Sequence, residues 1–275
     1  MEAFMLLLLG FGAGSYGVLV GAGGGFILAP ALIIFFDMEP TVVAGTSLAL
    51  VAINALSGWQ VYKRMGLVDY RSGLLFAAAA IPGAVLAPFI LTTVADGIFR
   101  LLLGSLLLGL AVLMMMRPRA EQAPRKRGST DSPRRMVRSR RILVLGGGAY
   151  EYRFNEALAA SFNVSLGFMS SFFGTGGGFL RTPILVYSFN FPVLVAVATS
   201  VFTIIFYTTA GAITHASLGH VDWYPTFVWA GIGLVAGAQV GARLAGKIGS
   251  VWVLRLLLVL VLGLGLTLVI QGISG

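Results

Sequence analysis

The sequence predicts an all-α integral membrane protein: two inverted repeats of about five helical segments each, the second of them short or re-entrant, giving eight to ten transmembrane helices. Three observations carry this prediction. Charged residues make up only 11% of the chain and hydrophobic residues 57%, whereas a soluble domain carries about 25% charged residues. The runs 3–20, 72–91 and 251–270 approach the ~20 apolar residues that span a bilayer. Finally, Gly21-Ala22-Gly23-Gly24-Gly25-Phe26 followed by Pro30 returns as Gly174-Thr175-Gly176-Gly177-Gly178-Phe179 followed by Pro183. The offset of 153 residues also relates Thr46-Ser47 to Thr199-Ser200, Gly58 to Gly211, Gly66 to Gly219 and Asp69 to Asp222.

The first repeat covers 1–116, with helical segments near 3–20, 26–36, 41–63, 72–91 and 98–116. The first segment lacks a basic leading region and a clear cleavage site, so it reads as a retained helix. The second repeat covers 154–275, with segments near 155–173, 179–189, 192–214, 225–247 and 251–271. In each half the second segment is too short to cross. Eleven residues make about 16 Å of helix, half a hydrocarbon core. Each glycine turn therefore joins a near-full helix to a half-length one.

Between the halves, 117–153 is a basic linker holding 11 of the 19 Lys and Arg residues. It reads as a cytoplasmic segment obeying the positive-inside rule and touching anionic headgroups, not as a nucleic-acid patch. Its tail, where Tyr150, Tyr152 and Phe154 alternate with polar residues behind Gly146-Gly147-Gly148, predicts a short hairpin. With the linker inside, the loops at Asp37/Glu39, at Asp96 and from His215 to Trp223 fall outside. Lys63, Arg64, Arg71, Arg243 and Lys247 fall inside. Asp69 and Asp222 then lie on opposite sides, which requires inverted repeats.

Three consecutive small positions inside a span weaken the helix and open its backbone. A helix starting just after the turn aims unpaired N–H groups and its positive dipole end at it. Gly23, Gly24, Gly25, Gly176, Gly177 and Gly178 are therefore candidates for an anion site. The competing reading is close helix packing through small residues. A polar stripe follows each turn: Ser47, Asn54 and Gly58 on one face, and Ser200, Thr203, Tyr207 and Gly211 in the second half. These suit hydrogen bonds to an oxyanion, or between helices. Thr46 and Thr199 join the candidate site, the alternative being that they cap or back-bond their own helices. Arg181, whose repeat mate is Leu28, supplies a positive charge at membrane depth or snorkels to headgroups.

No Asp or Glu falls at the centre of a predicted span; Asp69 and Asp222 read as helix caps and His215 and His220 as interfacial. The chain has no cysteine, which excludes thiol catalysis and disulfides. No catalytic pair, metal cluster or cofactor motif is evident.

The paired Gly-x-Gly-Gly-Gly-Phe-x-x-x-Pro motif, each copy followed by a Gly-Thr-Ser or Ala-Thr-Ser helix, resembles the TauE/SafE sulfite exporter family, also called the toluene-sulfonate uptake permease family. The resemblance covers about 3–116 and 155–271. It implies a multi-pass inner-membrane transporter of small sulfur-containing anions: sulfite, sulfoacetate or other organosulfonates. The expected function is secondary transport by alternating access. An anion channel, or a transporter of another small solute, is the alternative. Expected partners are a small oxyanion and the lipid bilayer, with no enzyme activity and no nucleic acid. Homo-oligomerisation, transport direction and coupling ion stay open.

Overall fold

The computed structural model describes residues 1–116, 137–143, 149–245 and 250–274. The basic run 117–136, the glycines Gly146 to Gly148 and Lys247 lie outside the described residues. Among the described residues ten α-helices form the body: α1 (Glu2–Val20), α2 (Gly25–Phe36), α3 (Pro40–Met65), α4 (Tyr70–Leu91), α5 (Asp96–Met116), α6 (Glu156–Phe173), α7 (Gly178–Tyr187), α8 (Val193–Ser217), α9 (Val228–Leu244) and α10 (Ser250–Ser274). They fall where hydropathy puts them. The half-length α2 and α7 are present at 12 and 10 residues. Five stretches among the described residues are long and apolar enough to cross a bilayer: Glu2–Val20, Pro40–Met65, Tyr70–Leu91, Val193–Ser217 and Trp223–Leu244.

Helix boundaries follow local chemistry. Gly21, Gly66 and Gly174 close α1, α3 and α6 in the left-handed region, where glycine pays no Cβ penalty. Asp69 caps α4 by accepting from the Ser72 amide at 3.1 Å, and Asp222 accepts from the Thr226 amide ahead of α9. Both carboxylates thus have the capping role expected of them.

The linker tail forms the antiparallel strands β1 (Val137–Leu143) and β2 (Ala149–Asn155), with Val137 opposite Asn155 and Leu143 opposite Ala149. Its end is part of the helical body. Tyr152 and Phe154 are buried, Phe154 meets Phe191 edge-on at 4.8 Å between centroids, and the Tyr152 hydroxyl donates to Asp69 at 2.7 Å.

The helices pair across the halves: α1 along α9, α4 along α6, α3 along α8 and α5 along α10. Small residues make the close approaches. A Cβ on Gly237 would meet Phe11 of α1, and one on Gly83 would come within 2.5 Å of the Val164 carbonyl oxygen on α6. This is how helices associate where lipid removes the hydrophobic drive between them.

The central pair, α3 and α8, is antiparallel. The start of α3 meets the end of α8 at Gly45 and His220, and the Asp222 amide donates to Thr46 at 2.8 Å. At the opposite end the Asp69 amide donates to Thr199 at 3.0 Å. The half-length helices leave the centre for opposite ends. Beyond α2, Asp37 pairs with Arg100 at 3.7 Å. Beyond α7, Phe189 packs on Phe154 of the hairpin.

Candidate functional site

Every candidate residue read from the sequence is buried, and the two glycine turns touch. A Cβ built on Gly25 would come within 2.6 Å of the Gly174 carbonyl oxygen, and one on Gly178 would overlap that of Gly21. Phe26 and Phe179 face each other with ring centroids 5.7 Å apart. Gly23 lies against Val51 and Ile204, and Gly176 against Val51, both halfway along their helices. The turns therefore meet at the middle of the molecule and not at its two ends.

Each turn is built alike. The Ala22 and Gly23 amides fold back on the Gly17 carbonyl, and the Thr175 amide does the same to Ser170. Gly24 (φ 85°) and Gly177 (φ 62°) then stand at the N-termini of α2 and α7, and neither helix has a side-chain cap. The first amides of a helix have no intrahelical acceptor. Two such ends, with their positive dipoles, face one central contact.

The polar stripes hold this contact together. Ser47 donates to the Gly174 carbonyl at 2.8 Å and Ser200 to that of Gly21 at 2.9 Å. Asn54 donates to Gly23 at 2.8 Å, and Tyr207 donates to Gly176. Each interaction occurs twice with the halves exchanged. The sequence leaves two roles for these donors, an oxyanion or hydrogen bonds between helices. In this arrangement they satisfy carbonyls of the turns, because an unwound backbone at this depth must find internal partners. Thr46 and Thr199 make a second exchanged pair. They cap no helix of their own; they accept amides from the Asp222 and Asp69 loops.

Arg181 is fully buried, which removes the snorkelling alternative. Nε donates to Asn163 Oδ1 at 2.7 Å and Nη1 to the Tyr207 hydroxyl at 3.0 Å. The guanidinium lies 4.7 Å from the Tyr207 ring centroid, a cation–π arrangement. Nη2 has no partner, and among the described residues no carboxylate pairs with Arg181. A buried cation held only by neutral groups keeps capacity for an anion.

Sequence reasoning missed several residues here. Asn163 orients Arg181, with its own amide donating to Ala159 at 2.7 Å; its signal was a polar residue inside an apolar helix. Thr175, in the turn itself, keeps a buried hydroxyl without a partner. His215, expected to be interfacial, is fully buried against the Ser171 carbonyl.

An all-helical body of long apolar helices around a buried polar centre defines the class: a multi-pass membrane protein. The profile of the family described as "Sulfite exporter TauE/SafE" matches residues 6–268, and the chain belongs to that family. It is 29% identical to the probable membrane transporter protein YunE of Bacillus subtilis over 99% of both chains. It is 28% identical to a probable membrane transporter protein of Xylella fastidiosa, over 88% of this chain and 83% of that one. To the probable membrane transporter protein MJ0441 of Methanocaldococcus jannaschii it is 25% identical, over 94% and 92%. No solved structure gives a match. Family and relatives are membrane transporters, not enzymes.

Proposed function

We propose that the protein is a secondary transporter of small sulfur-containing anions, sulfite, sulfoacetate or other organosulfonates, working by alternating access. The observation that carries this reading is Arg181, a fully buried cation with Nη2 unpartnered and, among the described residues, no carboxylate paired with it, one turn into α7, whose uncapped N-terminus meets the turn that opens α2. An oxyanion would take up Nη2 and the free amides of Gly24, Gly25, Gly177 and Gly178. Ser47, Ser200, Asn54 and Tyr207 would hold the turns and release them as the halves rock.

The hydrogen bonds repeated with the halves exchanged support reading the halves as inverted repeats. On that reading the molecule has eight to ten membrane segments when the half-length helices are counted. The glycine turns lie near the bilayer midplane, as in transporters with broken helices. The linker 117–153, with Lys63 and Arg64, lies on the cytoplasmic side of an inner membrane.

The test is flux in proteoliposomes with labelled sulfite, sulfoacetate and thiosulfate. Saturable movement of at least one is expected. If a cation or neutral solute moves while every oxyanion fails, the anion site is wrong. Flux per protein far above carrier turnover would make it a channel.

A further inference from the structure

The chain contains only two histidines, and they touch. His215, on the last turns of α8, has Nε2 3.0 Å from the Ser171 carbonyl oxygen and Nδ1 3.2 Å from Nδ1 of His220. A carbonyl only accepts, so His215 Nε2 bears the hydrogen. Its Nδ1 in the neutral ring is then an acceptor, and His220 Nδ1 donates to it. That leaves His220 Nε2 as an acceptor on a partly exposed residue.

The first half shows what the fold itself requires at this place. Tyr62, 153 residues before His215, donates its hydroxyl to the Val18 carbonyl at 3.0 Å, and Val18 is the mate of Ser171. One donor to one carbonyl is enough there, and the mate of His220 is Leu67. Packing therefore explains neither an imidazole at 215 nor a second one bonded to it. The same one-sided polarity continues inward. Ser171, Thr175 and Arg181 stand where the first half has Val18, Ala22 and Leu28. Ser171 Oγ, Thr175 Oγ1 and Arg181 Nη2 are all buried without a partner. Polar positions thus run from the exposed edge of His220 to the second glycine turn.

We propose that the His215–His220 pair binds a proton that travels with the anion, so that transport is driven by a proton gradient; this rests on the transport reading above. The proton adds to His220 Nε2, and the Nδ1 proton of that ring can pass to His215 Nδ1. Only N–H bonds form and break, the pair gains one positive charge, and Ser171 keeps its donor throughout. The elements packed on the pair bring few charges. The α3 face presents Gly45 and Thr46, and α6 presents Ser171. Asp222 follows His220 in the loop and caps Thr226. Asp37, paired with Arg100, and Glu39 precede α3, and Asp96 opens α5. Among the described residues neither imidazole is in an ion pair.

Two measurements test this. With ¹⁵N-histidine in nanodiscs only two imidazoles give signals. A coupling between the two Nδ1 atoms and a joint titration are expected, both lost in His220→Leu. Two rings titrating independently overturn the pair. In proteoliposomes with the membrane potential held at zero, a gradient of one pH unit should accumulate labelled sulfoacetate about tenfold on the alkaline side. His215→Tyr and His220→Leu install the first half's own residues, and they should keep downhill anion flux but lose accumulation. Anion flux indifferent to the pH gradient overturns the proton site and leaves the transport reading standing. No oxyanion flux under any condition overturns both.

Discussion

Phe26 and Phe179, each the residue that follows the glycine triplet of its own half, pack against one another with tilted rings, centroids 5.7 Å apart. Residues related by a repeat touch only where the relation between the halves passes through the molecule. The contact therefore marks the centre on which both glycine turns converge.

The turns approach too closely to admit a methyl group. A Cβ on Gly25 would lie 2.6 Å from both the Gly174 carbonyl oxygen and Val51 Cγ2. Gly25→Ala and Gly178→Ala should each destabilise the protein by about 1–3 kcal/mol, as overpacking does. Gly12, exposed on α1 with nothing within 4 Å of a built Cβ, is the control. Gly12→Ala should be neutral or stabilising by up to ~1 kcal/mol. Thermal unfolding in detergent reads all three.

Arg181 separates function from stability. Replacing it with Met removes the buried charge and keeps an unbranched apolar stem. Desolvation of the lone cation is relieved, so melting temperature should hold or rise. Loss of a charge-assisted bond of about 1.5–3 kcal/mol should weaken oxyanion binding roughly 10- to 100-fold. Calorimetric titration of sulfite or a sulfonate checks the first-order effect, and a melting curve on the same sample checks the second.

Ser47 and Ser200 make the same bond with the halves exchanged, at 2.8 and 2.9 Å. Ser47→Ala and Ser200→Ala should therefore each cost about 1–3 kcal/mol, Ser200→Ala toward the lower end because the Gly21 carbonyl keeps a long bond from Thr182 Oγ1 at 3.4 Å. Unequal costs, with one near zero, would mean that one turn is held by other groups. Denaturant unfolding distinguishes the cases.

Tyr152 fastens the hairpin to the body through Asp69 at 2.7 Å. Tyr152→Phe keeps the ring contacts with Phe154 and Phe191 and removes that bond to a carboxylate, at a cost of about 1.5–3 kcal/mol. Limited proteolysis should cut within Ala149–Asn155 faster in the variant, while cleavage elsewhere stays the same.

The sequence by itself determined where the helices run, that α2 and α7 are half-length, that the linker ends in a hairpin and that one glycine turn occurs per half. These follow from hydropathy, length and glycine placement, which are properties of neighbouring residues. Only the tertiary structure decided that the turns meet. It also decided that Ser47 and Ser200 turn their hydroxyls to the opposite half, that Thr46 and Thr199 hold loops and cap no helix, and that Arg181 is buried on Asn163 and Tyr207. Those contacts join residues up to 179 positions apart. Polar side chains at this depth bond to whatever acceptor packing brings near, and no local pattern records which one that is.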